Sequence, residues 1–192
     1  MKLFSAISPK ILVVSMFAAL VTVNASAPAY AASETAVLRM MKSPTTKDAT
    51  LARLLGKWRG RGTARPSAGK PAEATQCRFT NSWAASQRLV HLILSCRGTE
   101  IRFSADGYLG RSKGKYVGAW STSTGRNAVM SGRRSGSGLA LTLTATGNTS
   151  GTTPRTSSMT LKVAGRNVTA KLTAKDPKTG KRFTIFQSTM KR

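Results

Sequence analysis

The sequence predicts an all-β fold, an antiparallel up-and-down barrel of eight to ten strands that follows a short N-terminal helical turn. Three observations predict it. Short runs of alternating apolar and polar residues succeed one another from residue 57 to the C-terminus, and Gly, Ser, Asn and Pro separate them. No convincing helical period occurs in that region. Two cysteines, Cys77 and Cys96, fall on neighbouring runs and predict one disulfide. A β-sandwich is the alternative architecture for this pattern.

Residues 1–31 have the pattern of a secretory signal peptide. Lys2 and Lys10 flank its start, Ile11–Val23 is an apolar run, and Ala29 and Ala31 stand at the −3 and −1 positions of a cleavage site. The apolar run is shorter than the roughly 20 residues that a membrane-spanning helix needs. We therefore expect an exported bacterial protein, periplasmic or secreted.

The mature chain is expected to hold one domain. Residues 32–49 are small, polar and Pro-containing, so they predict a mobile arm with at most a short helical turn, and residues 50–192 form the barrel domain. Asp48 is a candidate cap for a helical turn before the first strand. The ten expected strands are 57–63, 75–83, 88–97, 100–104, 115–121, 128–133, 139–146, 158–164, 167–175 and 182–190.

Turns are expected wherever residues that tolerate or preset special backbone angles interrupt the alternation. Three of them are Asp106-Gly107, the Gly165-Arg166-Asn167 step and Asp176-Pro177. Two segments rich in Gly and cations, 107–116 and 132–138, are also read as loops. Such loops can form an anion pocket from backbone N–H groups, although a solvated loop is the alternative.

The cysteines predict a register for the second and third strands. If Cys77 lies opposite Cys96, then Phe79 faces Leu94, Asn81 faces Leu92 and Trp83 faces Val90, all on the disulfide side. One pairing thus gathers the bridge and an apolar face together. The candidates for the barrel interior and a ligand site are Trp58, Phe79, Trp83, Leu92, Leu94 and Trp120.

The net charge is extreme. The chain has 31 Lys and Arg against six Asp and Glu. Removal of the signal peptide takes away Lys2 and Lys10 and leaves 29 cations against six acids, a net charge of +23. Such a protein attracts anionic lipid, lipopolysaccharide, acidic polysaccharide or an acidic protein, whereas export argues against nucleic acid. Solubility alone is the alternative reason for the charge.

Alternation places the cations on the outside. In LLGKWRGRG (54–62), Trp58, Gly60 and Gly62 share one face, and Lys57, Arg59 and Arg61 share the other. An outer-membrane barrel needs the reverse pattern, an apolar outer band. The candidate anion-binding residues are Lys57, Arg59, Arg61, Arg111, Lys113, Lys115, Arg133 and Arg134.

The Gly56-Lys57-Trp58 sequence resembles the G-x-W that opens lipocalin and wider calycin-type barrels, and Trp58, Gly60 and Gly62 resemble the W-x-G-x-G strand of small exported bacterial barrels. The resemblance implies that Trp58 closes one end of the barrel beneath a basic residue of the last strand, Lys181 or Arg182. It also implies a cavity for a small apolar or amphipathic ligand. The exported metalloprotease inhibitors are a related branch in which an N-terminal arm enters a protease cleft. Nitrobindin-like barrels hold haem through a late His; residues 160–192 contain none, so no cofactor is expected.

No catalytic or metal-binding set is expected. The six acids are spread along the chain, and His91, the one His, lies on the strand face opposite Cys96. The first hypothesis is therefore a basic, non-catalytic binding protein of the cell envelope that holds an amphipathic or lipid-like ligand or associates with anionic envelope components. The alternatives are a polyanion- or protein-binding module with a filled barrel, and a periplasmic protease inhibitor that acts through its arm.

Overall fold

The computed structural model describes residues 33–146 and 155–192. The predicted signal peptide lies outside the described residues. Two short helices, α1 (Glu34–Met40) and α2 (Ala49–Leu54), come first. Ten strands follow: β1 (Gly56–Ala64), β2 (Glu73–Ala84), β3 (Leu89–Arg97), β4 (Arg102–Ser112), β5 (Lys115–Thr122), β6 (Asn127–Ser135), β7 (Gly138–Thr146), β8 (Thr156–Ala164), β9 (Asn167–Lys175) and β10 (Arg182–Lys191).

The strands form one closed antiparallel barrel. Each strand pairs with its neighbour in sequence, and β1 pairs with β10 to close the sheet, which confirms the up-and-down barrel. The alternation predicted for β8 and β9 is confirmed as well. Met159, Leu161, Val168 and Ala170 are buried in the interior, whereas Lys162 is exposed. Neither helix of the described residues has the length and apolarity of a membrane span.

Two glycines allow β1 to lie against β10. A Cβ atom at Gly60 would lie 2.0 Å from the Thr189 carbonyl oxygen, and one at Gly62 would lie 2.2 Å from the Gln187 carbonyl oxygen. Any side chain at these inward positions would therefore push the closing strands apart. Trp58, two residues earlier on the same face, is fully buried.

The predicted hairpin register is confirmed. Cys77 pairs with Cys96 and forms the disulfide, and Phe79 lies opposite Leu94, as Asn81 does opposite Leu92 and Trp83 opposite Val90. The residues that connect the two strands carry positive φ at Ala85, Ser86 and Gln87. The bridge therefore links the interior faces of neighbouring strands inside the main core.

Trp58 closes one end of the barrel, as the family resemblance implied. Its indole N–H donates to the Leu54 carbonyl at 2.9 Å, and the Asn81 amide donates to the same oxygen at 2.8 Å. The guanidinium of Arg192 lies 4.2 Å from the centre of the indole ring, a cation–π contact, and also donates to the Leu55 carbonyl. We call this the closed end.

The basic residue over Trp58 was predicted wrongly as Lys181 or Arg182. β10 runs toward the closed end, so its first residue, Arg182, and the preceding Lys181 lie at the other end of the barrel. Arg192 follows the last residue of β10 and is the one that reaches the indole.

Asp48 holds α2 against the closed end. One carboxylate oxygen accepts the backbone N–H groups of Thr50 and Leu51 and the Tyr116 hydroxyl, each at 3.0 Å. The other accepts from Arg111 at 3.1 Å. The helix cap predicted at Asp48 is therefore confirmed, and it is buried. Burial raises the pKa of the Tyr116 phenol, and the nearby Asp48 carboxylate adds to that rise.

The N-terminal arm is packed on the barrel, contrary to the expectation of a mobile segment. Ser33 caps α1, and Val37 of this helix is fully buried in a small outer cluster with Met41 and Leu89. The segment that follows α1 hydrogen-bonds along the end of β4, where Thr45 N–H donates to the Arg111 carbonyl. The sequence of the arm alone did not reveal this, because its apolar residues cover a patch on the outside of the sheet.

The expected turn at Asp106-Gly107 is wrong. β4 runs without a break from Arg102 to Ser112, and the turn lies at Lys113 and Gly114, both with positive φ. Gly107 sits in the strand, where a Cβ atom would lie 2.4 Å from the Ala119 carbonyl oxygen. Glycine is therefore required at this position because β4 and β5 pack closely here, and not because the chain turns. The positive φ expected at the Gly165 turn is confirmed.

Removal of the disulfide should destabilise the barrel without changing its topology. Replacement of both Cys77 and Cys96 by Ala frees a loop with a sequence separation of 19. Chain-entropy arguments give a loss of about 3 kcal/mol in the free energy of unfolding for a loop of this size. Urea unfolding of the oxidised wild type and the double variant measures it. An unchanged midpoint would contradict a closed bridge in the mature protein.

Asp48→Ala should lower the free energy of unfolding more than any other acid-to-alanine change in the described chain. It removes the cap of α2 and leaves the Tyr116 hydroxyl and Arg111 without their acceptor, so we expect a loss of about 2–4 kcal/mol. Asp176→Ala, in an exposed turn, is the control. If both variants unfold at the same urea concentration, Asp48 does not have the structural role described above.

Candidate functional site

A cavity of about 850 Å³ lies at the end of the barrel opposite Trp58. We call this the open end. The connections 65–72, 98–101, 123–126 and 176–181 lie there. Antiparallel alternation requires every second connection to reach the same end, so the chain returns to this rim after each hairpin. The cavity thus lies at the end of the barrel opposite α2, which packs at the closed end.

The walls of the cavity are apolar. Phe103 and Phe186 meet edge to face, with ring centres 5.4 Å apart, in an arrangement favourable for aromatic rings. Trp120 is buried, with 6% of its surface exposed. The larger aliphatic side chains of the lining are Leu94, Ile101, Leu143, Met159, Leu172 and Ile185, and smaller ones such as Ala128 lie between them.

Four arginines surround the cavity: Arg65, Arg102, Arg126 and Arg155. Glu100 is the one acid among the described lining residues. Arg102, Arg126 and Arg155 are exposed, whereas Arg65 is half-buried and its Nε has no hydrogen-bond partner in the described structure. The site therefore combines an apolar interior with a positively charged mouth.

Glu73 fixes one lip of the mouth. Its two carboxylate oxygens accept the backbone N–H groups of Glu100 and Ile101 at 2.8 and 3.0 Å. These bonds hold the short β3–β4 connection, from which Ile101 and Phe103 reach the cavity. An acid that stood alone in the sequence is thus a positioning residue for the site.

The interior candidates divide between the two halves of the barrel. Leu94 and Trp120 line the cavity. The assignment of Trp58, Phe79, Trp83 and Leu92 to a ligand site is not supported. Trp58, Phe79 and Leu92 are buried in the packed core, and Trp83 is half-buried against it. Period-two alternation identifies which residues of a strand point inward, but it does not tell how far along the barrel axis each residue lies.

The predicted anion-binding residues also separate. Lys57, Arg59 and Arg61 are exposed on the outer wall, as expected. Arg111 is half-buried in its ion pair with Asp48, and it lies on a strand instead of a loop. Lys113 and Lys115 flank the tight β4–β5 turn. Arg133 and Arg134 end β6, where Arg134 donates to the Gly136 carbonyl at 3.1 Å. None of these eight residues lines the cavity.

The rim arginines are the residues that sequence reasoning missed. Arg126 and Arg155 stood among many loop cations, and nothing in their local sequence separates them from the rest. Their common feature is position: each lies at or next to an open-end connection. A sequence signal could have found them. If Trp58 marks the closed end, every second connection after β1 must lie at the other end, and cations in those connections are rim residues.

His91 lies on the outer wall, as its register predicts. Its Nε2 is 2.9 Å from the Asp106 carboxylate, and its ring stacks on Tyr108 with centres 4.5 Å apart. Burial raises the pKa of the Tyr108 phenol, with a smaller contribution from Asp106. In the described part of the chain, no three His, Cys, Asp or Glu side chains are placed to share a metal ion.

The comparisons with known proteins address the fold. The model of a family described as "Protein of unknown function (DUF1579)" matches residues 43–192. The chain belongs to this family. The match begins just before α2 and includes every strand, and therefore the whole open-end cavity of this DUF1579 protein.

The crystal structure of Rv2717c from M. tuberculosis is similar to this DUF1579 barrel, with a TM-score of 0.62 and 15% sequence identity. The similarity covers 75% of this chain and 95% of that one. At this identity it concerns the fold alone. No curated protein matches the chain.

Glu73→Gln should loosen the lip of the cavity. It weakens two charge-assisted bonds to the Glu100 and Ile101 amides, and such bonds contribute about 1.5–3 kcal/mol where they are protected from water. We expect the amide hydrogens of Glu100 and Ile101 to exchange roughly ten-fold faster. Hydrogen exchange followed by NMR measures this, with Asp106→Asn as a control elsewhere on the surface. Equal exchange rates in wild type and Glu73→Gln would contradict the role of Glu73.

Proposed function

We propose that this protein is an exported, non-catalytic binding protein of the bacterial cell envelope that holds an amphipathic anion in its open-end cavity. One observation carries the proposal: the cavity of about 850 Å³ has apolar walls and four arginines around its mouth. The apolar part of the ligand would lie against Phe103, Trp120 and Phe186. Its acidic headgroup would stay at the rim.

The size and the chemistry of the cavity both support a small ligand. Ligand pockets typically have volumes of about 300–1,000 Å³, with mostly apolar walls and a few placed polar groups. The cavity is lined by residues of nine strands, all except β2, and the closed sheet holds them in place. Such a rigid scaffold needs little ordering on binding, so less of the interaction energy is lost.

The rim supports a negatively charged headgroup. Four guanidinium groups and a single carboxylate give the described lining a net charge of +3, and clustered like charges repel one another. A carboxylate or phosphate placed among them relieves that repulsion and accepts charge-assisted hydrogen bonds, for which the planar Arg fork is well suited. Arg65 offers an Nε–H that has no acceptor in the described structure.

The likeness to lipocalin-type barrels at Gly56, Trp58, Gly60 and Gly62 agrees with a ligand held in the barrel mouth. The predicted signal peptide and the Cys77–Cys96 disulfide agree with export to an oxidising compartment. Neither observation identifies the ligand beyond its amphipathic and anionic character.

The proposal predicts that the protein binds oleate, and that the rim arginines make it bind oleate more tightly than a neutral ligand of the same length. The protein is produced with its own signal peptide, recovered from the periplasm, and titrated with oleate and with the neutral oleyl alcohol. We expect tighter binding of oleate than of oleyl alcohol. An Arg102→Gln/Arg126→Gln variant should lose roughly three- to ten-fold of the affinity for oleate, because exposed charge pairs contribute roughly 0.2–1 kcal/mol each. Oleyl alcohol should bind the variant as it binds wild type.

Two further variants sharpen this test. Lys113→Gln/Arg133→Gln removes the same charge at the closed end and should leave oleate binding unchanged. Ala128→Phe places a ring in the cavity wall and should weaken both ligands. If oleate does not bind, or if both charge variants weaken it equally, the proposal is wrong. A mature protein that retains residues 1–31 would contradict export by signal cleavage.

A further inference from the structure

The outer wall of the barrel is strongly asymmetric in charge. Six neighbouring strands lie side by side in the order β3, β2, β1, β10, β9 and β8. Apart from Leu89, which α1 covers, their outward positions are Lys, Arg, Thr, Ser, Gln, Asn, Ala, Ile or His, without one Asp or Glu. We call this surface the cationic wall. Its exposed cations include Lys57, Arg59, Arg61, Arg78, Arg97, Lys162, Lys171 and Lys191. β4, which borders this surface beside β3, contains Asp106, and α1 packs on β4, β5 and Leu89 at the start of β3.

The centre of the cationic wall is a row of directly opposed like charges. Arg59 of β1 lies opposite Arg78 of β2 on one side and Lys191 of β10 on the other. Directly opposite side chains in an antiparallel sheet have Cβ atoms about 4.5–5.5 Å apart, and like charges at such positions destabilise the sheet. A surface needed only for solubility has no reason to place three cations in one row.

None of the six acids of the described chain lies opposite a residue of this row, and four of them are engaged elsewhere; the other two are Glu34 in α1 and Glu100 at the cavity mouth. Asp48 caps α2, Glu73 holds the β3–β4 connection, Asp106 pairs with His91, and Asp176 accepts from Thr179 in its own turn. Among the described residues, Arg111 is the one Lys or Arg that forms a salt bridge. The cationic wall therefore keeps its charge available to a partner.

We propose that the cationic wall binds an acidic polysaccharide chain, along the β1 column of Lys57, Arg59 and Arg61. Alternate residues of a strand are about 7 Å apart, so the column is a regular line of charges that a linear polyanion can follow. Hydroxyl and amide groups lie beside it: Thr80 opposite Lys57, and Gln76 and Thr189 opposite Arg61. These groups can hydrogen-bond the hydroxyls of a sugar chain.

The chemistry of the wall favours a polysaccharide over the other polyanions. Single-stranded nucleic acid is bound through aromatic side chains on which bases stack, and none of the outward positions of these six strands from β3 to β8 is a Phe or Trp. A flat lipid surface touches only the crest of a convex barrel, whereas a flexible chain can follow its curvature. Ile93, at the edge of the wall on β3, is its large exposed apolar residue, so insertion into a bilayer has little to drive it.

The proposal is independent of the open-end cavity. The side chains of the cationic wall point away from the barrel interior, and none of Lys57, Arg59, Arg61, Arg78 and Lys191 lines the cavity. A protein whose wall is bound to an acidic polysaccharide still presents its cavity to a small ligand. Failure of one binding activity leaves the other intact.

Binding of an alginate oligosaccharide, a linear polyuronate, tests the proposal. The matched pair of variants is Arg59→Gln/Arg61→Gln/Arg78→Gln on the wall and Lys113→Gln/Lys115→Gln/Arg133→Gln at the closed end of the other side, each removing three charges. We expect the wall variant to lose at least ten-fold in affinity and to show a shallower salt dependence, because fewer counterions are released. The control variant should bind like wild type. Calorimetric titration at two salt concentrations measures both.

Single-stranded oligothymidylate and phosphatidylglycerol vesicles are titrated in parallel. Equal losses in the two triple variants would overturn the proposal, since net charge alone would then explain binding. Wall-dependent binding of the vesicles or of the oligonucleotide, without binding of alginate, would overturn it in favour of that partner. The absence of binding to all three probes would also overturn it.

Thermal unfolding provides a second readout that does not need a ligand. Arg59→Gln removes the middle charge of the row and should raise Tm by about 2 °C, because repulsion across both strand pairs is relieved. Arg133→Gln, which has no cation directly opposite it on β7, should leave Tm nearly unchanged. A fall in Tm for Arg59→Gln would contradict the repulsion on which the inference rests.

Discussion

The pairing of β1 with β10 is the contact on which the rest of the structure depends. It joins the first and last strands, removes both free edges of the sheet, and converts an open meander into a barrel with an inside and an outside. Gly60 and Gly62 make the approach sterically feasible, since a Cβ atom at either would overlap the backbone of β10. The same strand then contributes Trp58 to the closed end and three cations to the outer wall. The nine residues of β1 therefore contribute to the closure of the barrel, to the packing of its closed end and to the charged outer surface.

Closure also explains why the two ends differ. At the closed end, Trp58, Asn81 and Arg192 satisfy the carbonyl groups of Leu54 and Leu55, and the buried Asp48 has its hydrogen bonds met. This end is covered by α2, although the buried Asn81 Oδ1 and Arg111 Nε have no hydrogen-bond partner in the described structure. At the open end, no corresponding helix covers the apolar ring of Phe103 and Phe186 within the described residues, and cations surround it. The contrast between an end packed by α2 and an end that leaves apolar side chains around a cavity is the physical basis for proposing the ligand site opposite Trp58.

Much of this architecture follows from the sequence, for identifiable reasons. The two cysteines determine the β2–β3 register, because a disulfide requires its residues to be direct neighbours, and every inward residue of that hairpin then follows. What alternation cannot supply is position along the barrel axis, so Leu94 and Trp120 were grouped with Trp58 and Leu92 although they lie in different halves. Asp106-Gly107 was read as a turn because glycine serves both turns and tightly packed strands. The arm was predicted to be mobile because its residues are small, polar and Pro-containing. Its packing was missed because Val37 is buried against the outside of the sheet, where period-two reasoning expects solvent.

The acids and the excess cations of this chain occupy different parts of the structure. A net charge of +23 for the predicted mature chain could be distributed evenly, with each acid placed beside a cation on the surface. Instead, Asp48, Glu73 and Asp176 accept hydrogen bonds from backbone groups, and Asp106 pairs with the one histidine. These four acids serve the fold, and the cations of one wall and one rim form no salt bridge among the described residues. Electrostatic repulsion within each group makes the free protein less stable than a neutralised one, so anions are favoured at both surfaces for the same reason. We propose different partners for the two surfaces, because the rim encloses apolar volume whereas the wall presents a long, regular line of charge.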